Sequence, residues 1–206
     1  MKVGIVGGTG AFGRALAGRL RRLGHDVAVG SRDAKRGWER GVELGVRGGS
    51  NEEAVRDADL VVLAVKSNAA VETARELGDA IGETPVLCVA SDVHFTDDGV
   101  VPGRSEYSLA EELAETIRAP VASGLQSVSA VELSRPEPPD QDALICGDDP
   151  RAKEPALALA EQIVGGKAVD AGPLCNSRAL ESMTAVIIEI NRRHHVHAGL
   201  RLTGLP

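Results

Sequence analysis

Aromatic side chains are nearly missing from this sequence: two phenylalanines, one tyrosine and one tryptophan make up 2% of 206 residues. The core must therefore be aliphatic, built from Val, Leu, Ile and Ala. The scarcity also argues against the aromatic platforms on which single-stranded nucleic acids stack. Cysteine is sparse as well. Cys88, Cys146 and Cys175 are far apart and odd in number, so neither a disulfide framework nor a metal-ligand spacing is visible. They read as reduced, partly buried thiols of a cytoplasmic protein, with no metal site. No apolar run reaches the roughly 18 residues of a spanning helix. The opening "MKVGIVGG" enters a strand and a turn without a secretion signal's charged and apolar regions. A net charge of −7 disfavours a broad phosphate-backbone surface but permits a local basic pocket. A cytoplasmic protein with no membrane or nucleic-acid partner is expected.

Apolar runs alternate with helical patterns along almost the whole chain. "KVGIVG", "DVAVGS", "DLVVLAV", "PVLCVAS", "PVASGL" and "ALICGDD" read as strands. Helical patterns lie between them, and a short "KAVDAG" precedes a long final helix over about residues 176 to 195. "DLVVLAV" is continuously apolar, as suits a central parallel strand buried on both faces. Residues 92 to 106 read as a polar loop. "SRPEPPDQD" is a second loop, marked by three prolines. The order predicts an α/β fold: a Rossmann-like, doubly wound, mostly parallel sheet, with a small C-terminal α/β lobe ending in a long helix.

Gly8, Gly10 and Gly13 form G-x-G-x-x-G between the first strand and first helix. The three glycines allow a tight turn, close approach of a pyrophosphate, and close packing of helix on strand. The helix N-terminus offers free N–H groups to phosphates. What is missing is the acidic residue about 20 positions on that would hold a ribose diol. Gly30, Ser31 and Arg32 stand there, with Lys35 and Arg36 behind. Serine and arginine donate to phosphate oxygens, whereas a carboxylate would repel them. The pattern points to a 2′-phosphate, hence to NADP(H). The predicted cofactor contacts are Gly8, Thr9, Gly10, Ala11, Phe12 and Gly13 in the turn and Ser31, Arg32, Lys35 and Arg36 at the phosphate. Val65, Lys66, Ser91 and Val93 add contacts at later strand ends. Residues 1–118 form the NADP-binding core.

A second ligand should also lie outside the carboxyl ends of the strands. Those ends supply no Ser-His-Asp set and no obvious general base, so no catalytic side chain is predicted. His25 follows a helix on the far side of the sheet, and His94 stands alone in a loop. "HHVH" at 194 to 197 ends a helix beside Arg192 and Arg193, where a solvent-facing or partner-facing positive end is expected. Dehydrogenation of an alcohol needs a proton-moving group. Hydride transfer between two redox carriers needs mainly position.

"VGIVGGTGAFGRALAGRLRRLGHDVAVGSRDAKR" resembles the N-terminus of the NADPH-dependent F420 reductases, or F420:NADP oxidoreductases. "ALICGDDPRAKEPALALAEQI" and "VDAGPLCNSRALESMTAVIIEINRR" extend the resemblance over nearly the whole chain. It implies a homodimer or higher homo-oligomer that moves hydride reversibly between NADP(H) and the deazaflavin coenzyme F420. It also implies roles for Thr9, Ser31, Arg32 and a nearby base at the NADP end. Around the deazaflavin it places Asp92 with its neighbours Ser91 and Val93, then Gln126, Ser127 and Val128, then Asn176 and Ser177. Residues 119–206 would complete the sheet, the deazaflavin site and the oligomer contact. Departures from the family pattern fall on the deazaflavin side: "VKSNAA" after the fourth strand, "QS" at 126 to 127, and the loop 92 to 106. A related NADPH-dependent flavin or ferric reductase, or a non-catalytic NADP-binding redox module, is the alternative.

In the final helix Leu180, Met183, Ile187 and Ile190 recur at helical spacing, with Val186 and Ile188 off that stripe. So much apolar surface predicts either deep burial within the chain or cover by another subunit.

Overall fold

The computed structural model describes residues 1–103 and 105–205. Residue 104, within the stretch 92 to 106 read above as a loop, and residue 206, the last of the stretch 119–206, lie outside the described residues. Strand β1 (Lys2–Val6) enters helix α1 (Ala11–Arg22) through the glycine turn, and β2 (Asp26–Ser31) follows. Next come α2 (Ala34–Leu44), β3 (Arg47–Ser50), the short α3 (Asn51–Val55), β4 (Leu60–Leu63), α4 (Ser67–Ile81) and β5 (Val86–Cys88). A hairpin of β6 (Val93–Thr96) and β7 (Gly99–Pro102) leads to α5 (Leu109–Thr116) and β8 (Val121–Gly124). The chain closes with α6 (Ala130–Ser134), β9 (Ala143–Gly147), α7 (Pro150–Ile163), β10 (Ala168–Asp170), a 3₁₀ turn at Leu174–Asn176 and α8 (Ser177–His194).

The described residues build an eight-stranded sheet in the order β10-β9-β8-β5-β4-β1-β2-β3. All neighbours are parallel except β8 and β9, which run antiparallel. The strand order reverses between β1 and β4, which opens a crevice at their carboxyl ends. The core is aliphatic, as the lack of aromatics requires. On one sheet face Leu16 and Leu20 of α1 and Leu159 and Ile163 of α7 meet Ile5, Leu87 and Ile145. On the other, Leu77 of α4 and Leu113 of α5 cover Leu63 and Cys88. Each such buried leucine contributes roughly 1.5–3 kcal/mol.

Local signals fix the helix ends. Asp33 caps α2 by accepting from the Arg36 N–H at 3.2 Å, and Gly45 closes it in a left-handed conformation. Ser50–Glu53 and Ser108–Glu111 are reciprocal capping boxes for α3 and α5.

Two elements differ from the sequence reading. Most of the loop at 92 to 106 is the β6–β7 hairpin, with Thr96 paired to Gly99 across a two-residue turn. Strand β3, "RGGS", carries almost no apolar side chain. Its backbone takes that place: a Cβ on Gly37 would lie 1.9 Å from the Gly49 carbonyl oxygen, and one on Gly41 would lie 2.7 Å from Gly48 Cα. Helix α2 therefore packs glycine to glycine on the edge strand, a contact without hydrophobic periodicity.

Candidate active site

The glycine turn is built around Gly7, whose φ of +79° suits glycine best. Gly7 accepts from the Gly10 N–H, and Gly8 donates to the Gly30 carbonyl, each at 3.0 Å. Gly13 must be small because a Cβ there would come within 2.8 Å of Gly8 Cα. Gly10 differs. Its Cβ would meet only the Gly7 oxygen, at 3.3 Å, and otherwise open space. That space belongs to a cavity of about 610 Å³, lined by Gly7, Thr9, Gly10, Ser31, Arg32, Arg36, Val65 and Lys66 among others.

Several contributors to this first cavity escape sequence reading. Asn51 is buried, and its Oδ1 accepts from the Gly7 N–H at 3.4 Å. A Cβ on Gly30 would lie 2.7 Å from that oxygen, so Gly30 makes room for Asn51. Asp33 also lines the cavity, but its carboxylate is turned to the α2 N-terminus as the cap. The guanidinium side chains of Arg32 and Arg36 leave the rim cationic. Other predicted cofactor contacts lie elsewhere. Gly8 and Gly13 act by packing. Exposed Ala11 and Lys35 do not line this cavity, and Phe12, Ser91 and Val93 line its neighbour.

That neighbour is a cavity of about 390 Å³. It brings together Ser91 from the segment after β5, Val93 at the start of β6, Gln126, Ser127 and Val128 after β8, and Thr184, Ile187, Ile188 and Asn191 of α8. Ala64, Val65 and Lys66, at the end of β4, line both cavities. The Ser91 and Thr184 hydroxyls lie 3.0 Å apart, and Gln126 Nε2 donates to Ser123 Oγ at 2.6 Å. Leu125, beside Gln126, is buried with a φ of +67°. A leucine held there stores strain of the kind concentrated at binding sites.

Asp92, Asn176 and Ser177 lie outside this second cavity. Asn176 Nδ2 donates to the Ala171 carbonyl at 2.6 Å. Ser177 is fully buried, with its hydroxyl donating to the Leu174 carbonyl. They shape the turn into α8. Asp92 sits behind the wall, where its N–H donates to Glu181 Oε2 at 3.3 Å. Glu181 is 4% exposed, and its Oε1 has no partner among the described residues. Burial pushes its carboxyl up to about 7, against the N–H groups of Asp92, Ala110 and Leu109, while the nearby Asp92 charge adds to the rise. Next to it Arg178 holds Glu111 down to about 2. Cys88 and Cys146 are buried and free, as expected, while Cys175 is exposed.

Residues 2–91 match the family described as NADP oxidoreductase, coenzyme F420-dependent. The chain is similar to the F420-dependent NADP reductase of Methanothermobacter thermautotrophicus, 33% identical over 100% of this chain and 96% of that protein. The enzyme of the same name from Methanocaldococcus jannaschii is 31% identical over 100% and 99%. For the fold, a crystal structure from Arthrobacter sp. FB24, described provisionally as an F420-dependent NADP-reductase, superposes with a TM-score of 0.86. It is 23% identical and covers 98% of this chain and 99% of that one. An imine reductase from Streptomyces aurantiacus superposes at 0.64 with 20% identity, covering 95% of this chain and 62% of that one. With full-length identity to such enzymes, the chain belongs to the F420-dependent NADP reductase family.

Proposed function

We propose that this enzyme passes a hydride reversibly between NADP(H) in the first cavity and the deazaflavin F420 in the second. The observation that carries the reading is the shared seam: Ala64, Val65 and Lys66 line both cavities. Two flat rings entering from opposite sides meet at the end of β4. The two carriers supply the redox chemistry themselves. The protein's part is to hold them in register, and position alone is worth several decades of rate. Thr9, Gly10 and the α1 N-terminus hold the pyrophosphate. Ser31, Arg32 and Arg36 hold the 2′-phosphate. Ser91, Gln126, Ser127, Val128 and Thr184 frame the deazaflavin. Among the described residues that line the second cavity there is no histidine, carboxylate or cysteine, which suits a transfer that needs no acid–base side chain.

The test mixes the purified protein with NADPH and F420 and follows the deazaflavin absorbance. Its loss at the rate of NADPH oxidation is the expected result. Oxidation of NADPH only with a flavin or ferric acceptor, or tight nucleotide binding without turnover, would overturn the reading. Among the described residues no helix is long and apolar enough to cross a membrane. With three free cysteines, a cytoplasmic setting is the natural one. The apolar outer face of α8 supports a homo-oligomer.

A further inference from the structure

Among the described residues the second cavity is lined by aliphatic, hydroxyl and amide side chains and by Phe12, and Lys66 is the one that carries a charge. Because Lys66 also lines the first cavity, this charge stands at the seam where the two rings meet. Among the described residues the lysine that pairs with a carboxylate is Lys153, 3.0 Å from Asp170; Lys66 has no such partner. Lys66 is also the N-cap of α4, a 15-residue helix, so that helix's positive end is directed at the same spot.

We propose that Lys66 stabilises the negative charge the deazaflavin takes up on accepting a hydride, and so biases the enzyme toward deazaflavin reduction. The inference rests on the two-carrier reading above. In the step, the C4–H bond of the dihydronicotinamide breaks and its electron pair forms a C–H bond at C5 of the deazaflavin. The nicotinamide becomes a cation. The deazaflavin's conjugated nitrogen–carbonyl edge gains one negative charge, later neutralised by a proton from water. A preorganised cation beside that edge lowers the barrier toward the anion. Beside the nicotinamide it would act the opposite way, so the sign of the effect reports which ring Lys66 serves.

The experiment compares wild type, Lys66→Met and Lys66→Arg in single turnovers, run as NADPH with F420 and as NADP⁺ with reduced F420. Lys66→Met is expected to slow hydride transfer to the deazaflavin about tenfold, the effect of one screened charge at ring distance. The reverse transfer should change less, so the on-enzyme equilibrium shifts toward oxidised deazaflavin. The NADPH dissociation constant should change less than the forward rate does, and Lys66→Arg should keep most of that rate. Equal forward and reverse effects, a faster forward step, or a loss confined to NADPH affinity through the pyrophosphate would each overturn the proposal. An active wild type with an unaltered Lys66→Met variant overturns this inference alone. A wild type inert toward F420 overturns the two-carrier reading with it.

Discussion

At the residue scale, nucleotide choice comes down to a few donors at the end of β2. Arg32 lines the first cavity where a 2′-phosphate would lie, while the nearby Asp33 carboxylate is committed to capping α2. A charge-assisted hydrogen bond is worth about 1.5–3 kcal/mol. Arg32→Ala should therefore weaken NADPH about tenfold to a hundredfold and leave NADH nearly unchanged, as measured by titrating each nucleotide. Equal losses for both would remove the phosphate assignment. Gly10 makes a complementary case. The protein leaves open space beside it, so Gly10→Val should keep its circular dichroism spectrum while the side chain fills the pyrophosphate's place and binding collapses. Undiminished affinity would make the turn purely structural. Both residues are legible in the sequence because their chemistry is local: a glycine spacing and a missing acid. Asn51 is not. It reaches the turn from α3, 44 residues away, and nothing in "SNEEAV" beyond its capping box announces that contact.

At the element scale, strand and helix order follows from alternating apolar runs, and the parallel sheet follows from that order. The hairpin is less legible. "VHFTDDGVVP" mixes its apolar residues with polar ones, and only the Asp-Gly step hints at a tight turn. What folds it is α8. Glu189 Oε2 accepts from the Val100 N–H at 3.2 Å, Glu181 from the Asp92 N–H, and Thr184 meets Ser91. Three side chains on one helix thus fix the hairpin and one wall of the second cavity. Glu181 makes this strap sensitive to pH. A carboxyl raised from its ordinary value near 4.5 to about 7 adds stability that is full below 4.5 and lost as pH climbs through 7. The neutral isostere Glu181→Gln escapes that loss. The variant should match wild type near pH 5 and become the more stable of the two above pH 8, by about 3 kcal/mol at most. Thermal melts across that range check it. Parallel curves for the two proteins would show that Glu181 does not titrate where its burial places it.

At the scale of the whole molecule, α8 has more apolar surface than this chain covers. Its stripe does not form one buried face. Ser177, Glu181 and Ala185 are buried, while Ile187 and Ile188 line the second cavity. Met183, Val186 and Ile190, at helical spacing on the remaining side, stay 38%, 53% and 40% exposed. On the hairpin that packs against this helix, Phe95 is 71% exposed. Exposed aliphatic groups in sequence register along one helix face mark an association surface more often than a solvated one. A second copy presenting the same face would cover it around a two-fold axis. The informative substitution is therefore at Val186. Ile188, which the sequence alone makes equally attractive, lines the second cavity, so its substitution would disturb that cavity as well as any assembly. Val186→Glu buries a charge only in the assembled protein, at a cost of several kcal/mol if it stays unpaired. It should yield a folded, smaller species by light scattering with an unchanged circular dichroism spectrum. Because the second cavity is lined from the inner side of the same helix, nucleotide affinity should persist in that monomer while turnover falls as α8 loosens. A wild type that already runs as a monomer at micromolar concentration, or a Val186→Glu protein that still assembles, would exclude this face as the contact.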